Sequence, residues 1–160
     1  MLFIVKSYIK FLSNSTNEHG VHSPFVFDFV MKCIYDKTNY PEYEVLKNYR
    51  KFLLENKNTI EVTDFGAGSR IFKSNNREIA KIAQTAGISS KNAELLFRIV
   101  RYFQPKNILE IGTSLGLATS ALSSGNQNAE VISLEGCPNT MAITKEMFQN
   151  SSFKFNAENI

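Results

Sequence analysis

The chain has 160 residues, of which 43% are hydrophobic and 21% are charged, close to the mix of an ordinary globular protein. This composition excludes a disordered chain, and no apolar stretch approaches the roughly 20 residues that a membrane span requires. Eighteen Lys and Arg against 15 Asp and Glu give a net charge of +3, too small and too evenly spread to indicate a nucleic-acid partner. Length and composition together predict about one globular domain.

The first 12 residues are apolar but contain Lys6 and Lys10, whereas a signal peptide places its positive charge before an unbroken apolar core. We therefore expect residues 1–12 to form an amphipathic helix of a cytoplasmic protein with no membrane contact. The two cysteines, Cys33 and Cys137, are too few for a disulfide framework and indicate a reducing compartment.

Helical patterns dominate residues 1–104. Ser23-Pro24 is typical of a helix start, because Ser can cap the helix and Pro is pre-set for its first turn. Pro41 opens a second helix, and Ser89 or Ser90 caps another. Residues 60–65 are rich in β-branched side chains and predict one short strand. We expect this region to be a helical cap on the substrate side of the protein.

Residues 105–160 change to a different pattern. The predicted elements are a strand at 108–111, a loop at 112–116, a helix at 117–124, a strand at 131–134 and a helix from Pro138. A strand, a helix and a strand within about 30 residues predict a right-handed βαβ unit with parallel strands. The chain is therefore predicted to have an α/β fold, with the first half of a Rossmann-like sheet after the helical region.

The glycine loop lies where an open α/β sheet binds ligands, at the carboxyl end of its first strand. Gly112 lets the backbone turn sharply and approach a ligand, and Gly116 lets the helix begin close to it. Backbone N–H groups at that helix start favour a negative group. Glu135 ends the second strand 23 residues after Gly112, a spacing typical of the acid that accepts from ribose hydroxyls. These features predict a nucleoside-containing ligand.

The loop lacks two of the glycines that a dinucleotide-binding loop requires, and this narrows the type of nucleoside ligand. A dinucleotide fingerprint requires glycine at positions 114 and 117, which hold Ser114 and Leu117. Glu110 adds a carboxylate that repels a pyrophosphate and suits an ammonium or sulfonium group. S-adenosylmethionine has both cations, a carboxylate, a ribose and no phosphate, so it is the predicted cofactor. An NAD(P)-binding oxidoreductase fragment is the alternative.

The motifs also resemble those of a known family. Asn-Ile-Leu-Glu-Ile-Gly-Thr-Ser-Leu-Gly at 107–116 is similar to the first motif of class I S-adenosylmethionine-dependent methyltransferases, especially small-molecule O-methyltransferases. Ile-Ser-Leu-Glu-Gly at 132–136 resembles their second motif. The runs at 19–27 and 62–69 resemble an uncharacterised branch from Bacteroidetes-type bacteria. The resemblance implies a class I methyltransferase sheet and methyl transfer to oxygen or nitrogen of a small molecule.

Six residues match the cofactor-binding motifs of this family: Glu110, Gly112, Thr113, Ser114, Gly116 and Glu135. The resemblance implies that Glu110 lies near the amino end of the methionine, that the loop surrounds the methionyl and ribose parts, and that Glu135 accepts from the ribose hydroxyls. Related enzymes often carry a serine after the last glycine, where this chain has Leu117. No metal ligand is assigned. The catalytic residue stays unassigned, because the family places its catalytic acids after the fourth strand.

Three further features of the sequence give additional hypotheses. The string Asp64 to Gly68 is a second acidic-glycine motif without a following helix, and we expect it near the active site with no assigned chemistry. His19 and His22 have a spacing that a metal could use, but structural hydrogen bonding before Pro24 is the favoured interpretation over gating or general-base chemistry. Cys137 is expected to be a small residue packed near the adenosine site.

The family's sheet has seven strands, whereas this sequence predicts two and the approach to a third at residues 153–160. The resemblance therefore predicts a chain truncated after the second strand-helix unit. Such a unit leaves a sheet edge uncovered, which self-association would cover. A non-catalytic module whose helical segment binds a partner or another copy of the chain is the third hypothesis.

Overall fold

A computed structural model describes residues 2–15, 17–64, 68–69, 71–150, 153, 155 and 157–159 of the chain. The chain divides into two compact units, Met1–Lys37 and Thr38–Ile160. Within the described residues, no helix combines the length and the apolar character needed to cross a membrane.

The first unit is helical. Its elements are α1 at Leu2–Asn14, a 3₁₀ turn at Glu18–Gly20, α2 at Pro24–Phe29 and a π-helical turn at Val30–Ile34. The Ser23 hydroxyl oxygen accepts from the Val26 N–H at 3.4 Å, and Pro24 occupies the first turn. The structure therefore has the helix start that Ser23-Pro24 predicts. All residues of α1 are exposed.

The second unit combines helices with two small sheets. Its elements are α3 at Glu42–Glu55, β1 at Thr59–Glu61, β2 at Asn76–Glu78, α4 at Ile79–Thr85, α5 at Ser90–Phe103, β3 at Asn107–Ile111, α6 at Leu117–Gly125, β4 at Glu130–Leu134, α7 at Pro138–Asn150 and β5 at Glu158–Asn159. Strands β3, β4 and β5 form a parallel sheet in that order, and β1 and β2 form an antiparallel ribbon. The predicted βαβ unit is thus present, with its two strands parallel.

Helix α3 joins two parts of the core. Tyr49 and Leu53 pack in one cluster with Leu115 and Phe148, and Tyr43 packs in a second cluster with α5 and α6. The Tyr49 hydroxyl donates to the Leu115 carbonyl at 2.8 Å in a buried hydrogen bond. This bond anchors the glycine loop to the helical part of the same unit.

The ribbon differs from the sequence expectation. The predicted strand at 60–65 is observed only as Thr59–Glu61, and its partner β2 was not predicted. Asn76–Glu78 contains no β-branched or aromatic side chain, so only its pairing with β1 reveals it. Ser89 caps α5 as expected, because its hydroxyl accepts from the Asn92 N–H at 3.2 Å. The predicted division of the chain at residue 105 remains a prediction.

Candidate ligand site at the ends of the parallel strands

The loop from β3 to α6 has three residues in left-handed backbone conformations. These are Gly112 with φ +96°, Ser114 with φ +48° and Gly116 with φ +72°. The N–H groups of Gly112 and Thr113 both donate to the Leu134 carbonyl, at 2.8 and 3.1 Å, which ties the loop to the end of β4. A Cβ on Gly112 would have no described atom within 4 Å apart from its chain neighbours. The loop therefore has an open side at Gly112.

Glu135 connects the loop to the end of β4. Its Oε2 accepts from the Ser114 N–H at 2.7 Å, and its Oε1 accepts from the Cys137 N–H at 2.9 Å. An ionised carboxylate has about four acceptor positions, so two remain for other donors. The glycine loop and the acid at the end of β4, which the sequence predicts to form one site, are therefore in direct contact.

Glu110 is held by side chains from the neighbouring elements. Its Oε2 accepts from the hydroxyls of Thr119 and Ser133, each at 2.5 Å. The Thr113 and Ser133 hydroxyl oxygens lie 2.6 Å apart. Burial raises the pKa of Glu110, the two hydroxyl hydrogen bonds lower it, and the negative charge of Glu135 raises it. The net result is a pKa above the ordinary value.

The backbone N–H groups of the loop are largely engaged within the chain. Those of Gly112, Thr113 and Ser114 have the acceptors given above, and that of Gly116 donates to the Thr113 carbonyl at 2.9 Å. Available donors lie one turn further along, because no described residue accepts from the N–H groups of residues 117–119. The first turn of α6 thus offers the donors expected for a negative group.

A cleft of about 340 Å³ opens beside Ser114 and Glu135. Ser114, Glu135 and Cys137 form one part of its lining, and Asp64 and Arg77 form another. Asp64 Oδ2 and Arg77 Nη2 lie 3.0 Å apart in an ion pair. The expectation that the Asp64 string lies near the site is supported by Asp64 itself, while residues 65–67 are outside the described residues. Arg77 was missed, because it comes from the unpredicted strand β2.

Cys137 is 2% exposed and packs at the start of α7. The Thr63 N–H donates to its sulfur at 3.3 Å. Burial raises the pKa of the Cys137 thiol, but hydrogen bonds from Thr140 and from the backbone of Thr63 and Asn139 outweigh burial and leave it lowered. Its position beside Glu135 matches the expectation of a small packed residue near the site.

The two histidines belong to the first unit. Both are exposed, and His19 Nε2 lies 3.7 Å from Glu18 Oε1. The anchoring role expected for His19 and His22 remains a prediction. Among the described residues, no group of three or more His, Cys, Asp or Glu side chains could hold a metal ion.

No family model matches the chain, and no curated protein matches it. Among solved structures, it is similar to the SAH-bound methyltransferase PaMTH1 of Podospora anserina, with a TM-score of 0.54 and 18% identity over 92% of this chain and 52% of that one. It is also similar to a Klebsiella pneumoniae protein assigned as an O-methyltransferase, with a TM-score of 0.45 and 15% identity over 79% of this chain and 46% of that one. A third similar structure is cofactor-bound Rv0187 from MTB, with a TM-score of 0.45 and 18% identity over 92% of this chain and 52% of that one. The first likeness confirms the predicted α/β, Rossmann-like fold. This chain spans about half the length of these structures.

Proposed function

We propose that the unit Thr38–Ile160 binds S-adenosylmethionine in the cleft at the carboxyl ends of β3 and β4. It would serve as the cofactor-recognition half of a methyltransferase that acts on oxygen or nitrogen of a small molecule. The observation that carries this proposal is the hydrogen bond from the Ser114 N–H to Glu135 Oε2 at 2.7 Å. It places the glycine loop beside the acid at the end of β4, and in nucleoside-binding α/β sheets these two features hold the same ligand. A Bacteroidetes-type branch and a cytoplasmic location belong to the same proposal.

Residues of the cleft, of the glycine loop and of the elements that flank the loop suit the chemical groups of this cofactor. Glu135 keeps acceptor capacity for the two ribose hydroxyls. Glu110 offers a carboxylate to the ammonium and sulfonium groups, and the N–H groups of residues 117–119 offer donors to the cofactor's carboxylate. The open side of Gly112 leaves room for close approach, and 340 Å³ lies within the usual range for ligand pockets.

The contribution of these residues to methyl transfer is binding and orientation. When bound, the cofactor supplies an electrophilic methyl group on a sulfonium. Glu135, Glu110 and the first turn of α6 would fix its ribose, ammonium and carboxylate ends, and alignment of a methyl group with its acceptor supplies much of the rate. We assign no catalytic base.

The test is calorimetry of S-adenosylhomocysteine binding to the 160-residue chain. We expect binding, and we expect Glu135→Gln to weaken it by about 10-fold or more, because hydrogen bonds to a charged acceptor are lost. Glu130→Gln is the matched control. Glu130 is the exposed first residue of the same strand, at the end away from the cleft, so the affinity should stay as in the wild type.

Other results would contradict the proposal. Tight NADH binding without S-adenosylhomocysteine binding would replace it with the oxidoreductase alternative. If the chain binds neither S-adenosylhomocysteine nor NADH, the hypothesis of a non-catalytic interaction module would remain. Equal affinities of the Glu135→Gln and Glu130→Gln variants would show that the ligand lies elsewhere.

A further inference from the structure

We infer that the hydroxyl groups of Thr119 and Ser133 are positioning groups, which keep the Glu110 carboxylate charged and direct it to the ligand's ammonium group. This inference rests on the proposed function and deepens it. It assigns roles to two residues that the cofactor motifs do not include. Neither hydroxyl is expected to contact the ligand, because both act through Glu110.

The three side chains come from three different elements. Glu110 is on β3, Ser133 is its register partner on the parallel strand β4, and Thr119 is in the first turn of α6. Thr119 and Ser133 are both 0% exposed. Their oxygens each lie 2.5 Å from Glu110 Oε2. Two buried hydroxyls from separate elements therefore meet at one carboxylate oxygen.

The direction of these hydrogen bonds follows from the number of protons. A carboxylate only accepts, and each hydroxyl has one proton to donate. The Ser133 hydroxyl uses its one proton in the hydrogen bond to Glu110. Across the 2.6 Å contact, the Thr113 hydroxyl is therefore the donor and the Ser133 oxygen the acceptor. Oε2 thus receives two donors, whereas no described residue donates to Oε1. The second oxygen is left for a cationic ligand.

The charge of Glu110 depends on a balance between opposing effects. Burial and the neighbouring charge of Glu135, at the end of β4, raise its pKa, and the two hydroxyls lower it. Helix α6, which supplies Thr119, contains no titratable side chain. Loss of one hydroxyl should therefore raise the pKa of Glu110 further. The ammonium group attracts the ionised carboxylate, so affinity is lost when Glu110 becomes protonated as the pH is lowered. With a higher pKa, this loss should begin at a higher pH.

The experiment measures S-adenosylhomocysteine affinity between pH 5 and pH 8.5. Thr119→Val keeps the shape of the side chain and removes the hydroxyl, whereas Thr119→Ser keeps the hydroxyl and removes a methyl group. The midpoint is the pH at which half of the affinity has been lost on acidification. We expect it to rise by about 1 pH unit in Thr119→Val, since a hydrogen bond to a charged group is removed. The midpoint should stay near the wild-type value in Thr119→Ser.

Two further variants complete the design. Ser133→Ala should move the midpoint in the same direction as Thr119→Val, and it decides the question if Thr119→Val does not fold. Ser120→Ala is the control, because Ser120 is a buried neighbour of Thr119 whose hydroxyl donates to the Leu117 carbonyl at 2.9 Å. Its midpoint should equal that of the wild type.

The outcomes separate the two proposals. If the wild-type chain binds no S-adenosylhomocysteine, the proposed function fails. If the wild-type chain binds but Thr119→Val and Ser133→Ala keep the wild-type pH midpoint, the positioning role is wrong and the proposed function stands. The same conclusion follows if Thr119→Val and Thr119→Ser shift the midpoint equally.

Discussion

One glutamate lies near the carboxyl end of β3 and another directly follows β4, but the two side chains are held in different ways. Glu135 accepts from two backbone N–H groups, those of Ser114 and Cys137. Glu110 accepts from two side-chain hydroxyls, those of Thr119 and Ser133. The position of a backbone N–H donor is set by the path of the main chain, whereas a hydroxyl donor is present only if the residue is Ser, Thr or Tyr. The position of Glu135 should therefore respond to changes in loop geometry, and the state of Glu110 to single side-chain changes.

The largest expected effect tests the loop geometry that supports Glu135. A Cβ on Gly116 would lie 2.5 Å from Phe148 Cζ and 2.9 Å from Thr144 Cγ2, at φ +72°. We expect Gly116→Ala to lower the free energy of unfolding by about 3 kcal/mol, through backbone strain and overpacking together. Urea denaturation at neutral pH measures this change.

Gly112→Ala is the matched control for that prediction. Gly112 also has a left-handed backbone, but its Cβ position is open, so only strain of about 1–2 kcal/mol applies. Gly68→Ala, at φ +81° with an equally open Cβ position, should show the same loss of stability. Equal destabilisation by all three variants would contradict the packing of Gly116 against α7.

A smaller effect tests whether a side chain also supports the loop behind Glu135. The Thr144 hydroxyl lies 2.8 Å from the Ser114 carbonyl and 3.0 Å from the Thr140 carbonyl, and Thr144 is 0% exposed. We expect Thr144→Val to lower the free energy of unfolding by about 1 kcal/mol, since the part-buried Ser114 carbonyl loses a donor.

The control for Thr144 is Thr85→Val in α4. The Thr85 hydroxyl donates to the Lys81 carbonyl at 2.7 Å, four residues back in the helix, but it is exposed and solvent can replace it. We expect a change close to zero in the same urea experiment. A loss as large as that of Thr144→Val would mean that the bond to Ser114 adds nothing specific to the loop.

Much of the region around the two glutamates could be predicted from sequence. The strands, the glycine loop and both helices of residues 105–160 follow from hydrophobic periodicity and glycine placement. The spacing of Gly112 and Glu135 predicted that the glycine loop and the acid serve one nucleoside ligand, and in the structure the Ser114 N–H of the loop donates to Glu135. Local patterns were sufficient here because the βαβ unit is built from neighbours in the chain.

The remaining parts depend on contacts that local patterns do not encode. Strand β2, with Arg77, has a polar sequence and exists through pairing with β1. The hydroxyls of Thr119 and Ser133 belong to residue types that are common at surfaces, and only the register of β3 with β4 places Ser133 beside Glu110. A one-residue slip would place the Ser133 side chain on the other face of the sheet. Aligning the carboxyl ends of the two predicted strands would have paired these residues.

The smallest expected effect concerns stability at Glu110. Its folded-state pKa is raised above the ordinary value of 4.5, mainly by burial, so the folded chain keeps this proton to a higher pH than the unfolded chain. The stabilising contribution of the protonated group is therefore fully present below pH 4.5 and is lost as the pH rises through the folded-state pKa. Glu110→Gln removes this dependence, since an amide does not titrate in this range.

We therefore expect the free energy of unfolding of Glu110→Gln to rise relative to that of the wild type between pH 4 and pH 7. Paired urea titrations at the two pH values measure this difference, and Glu130→Gln, at the exposed start of β4, should give none. A relative loss of stability on going to pH 7 would mean that the hydroxyls of Thr119 and Ser133 more than offset burial. If Glu110→Gln gains stability while it weakens S-adenosylhomocysteine binding, the charge at the end of β3 is retained for the ligand rather than for the fold.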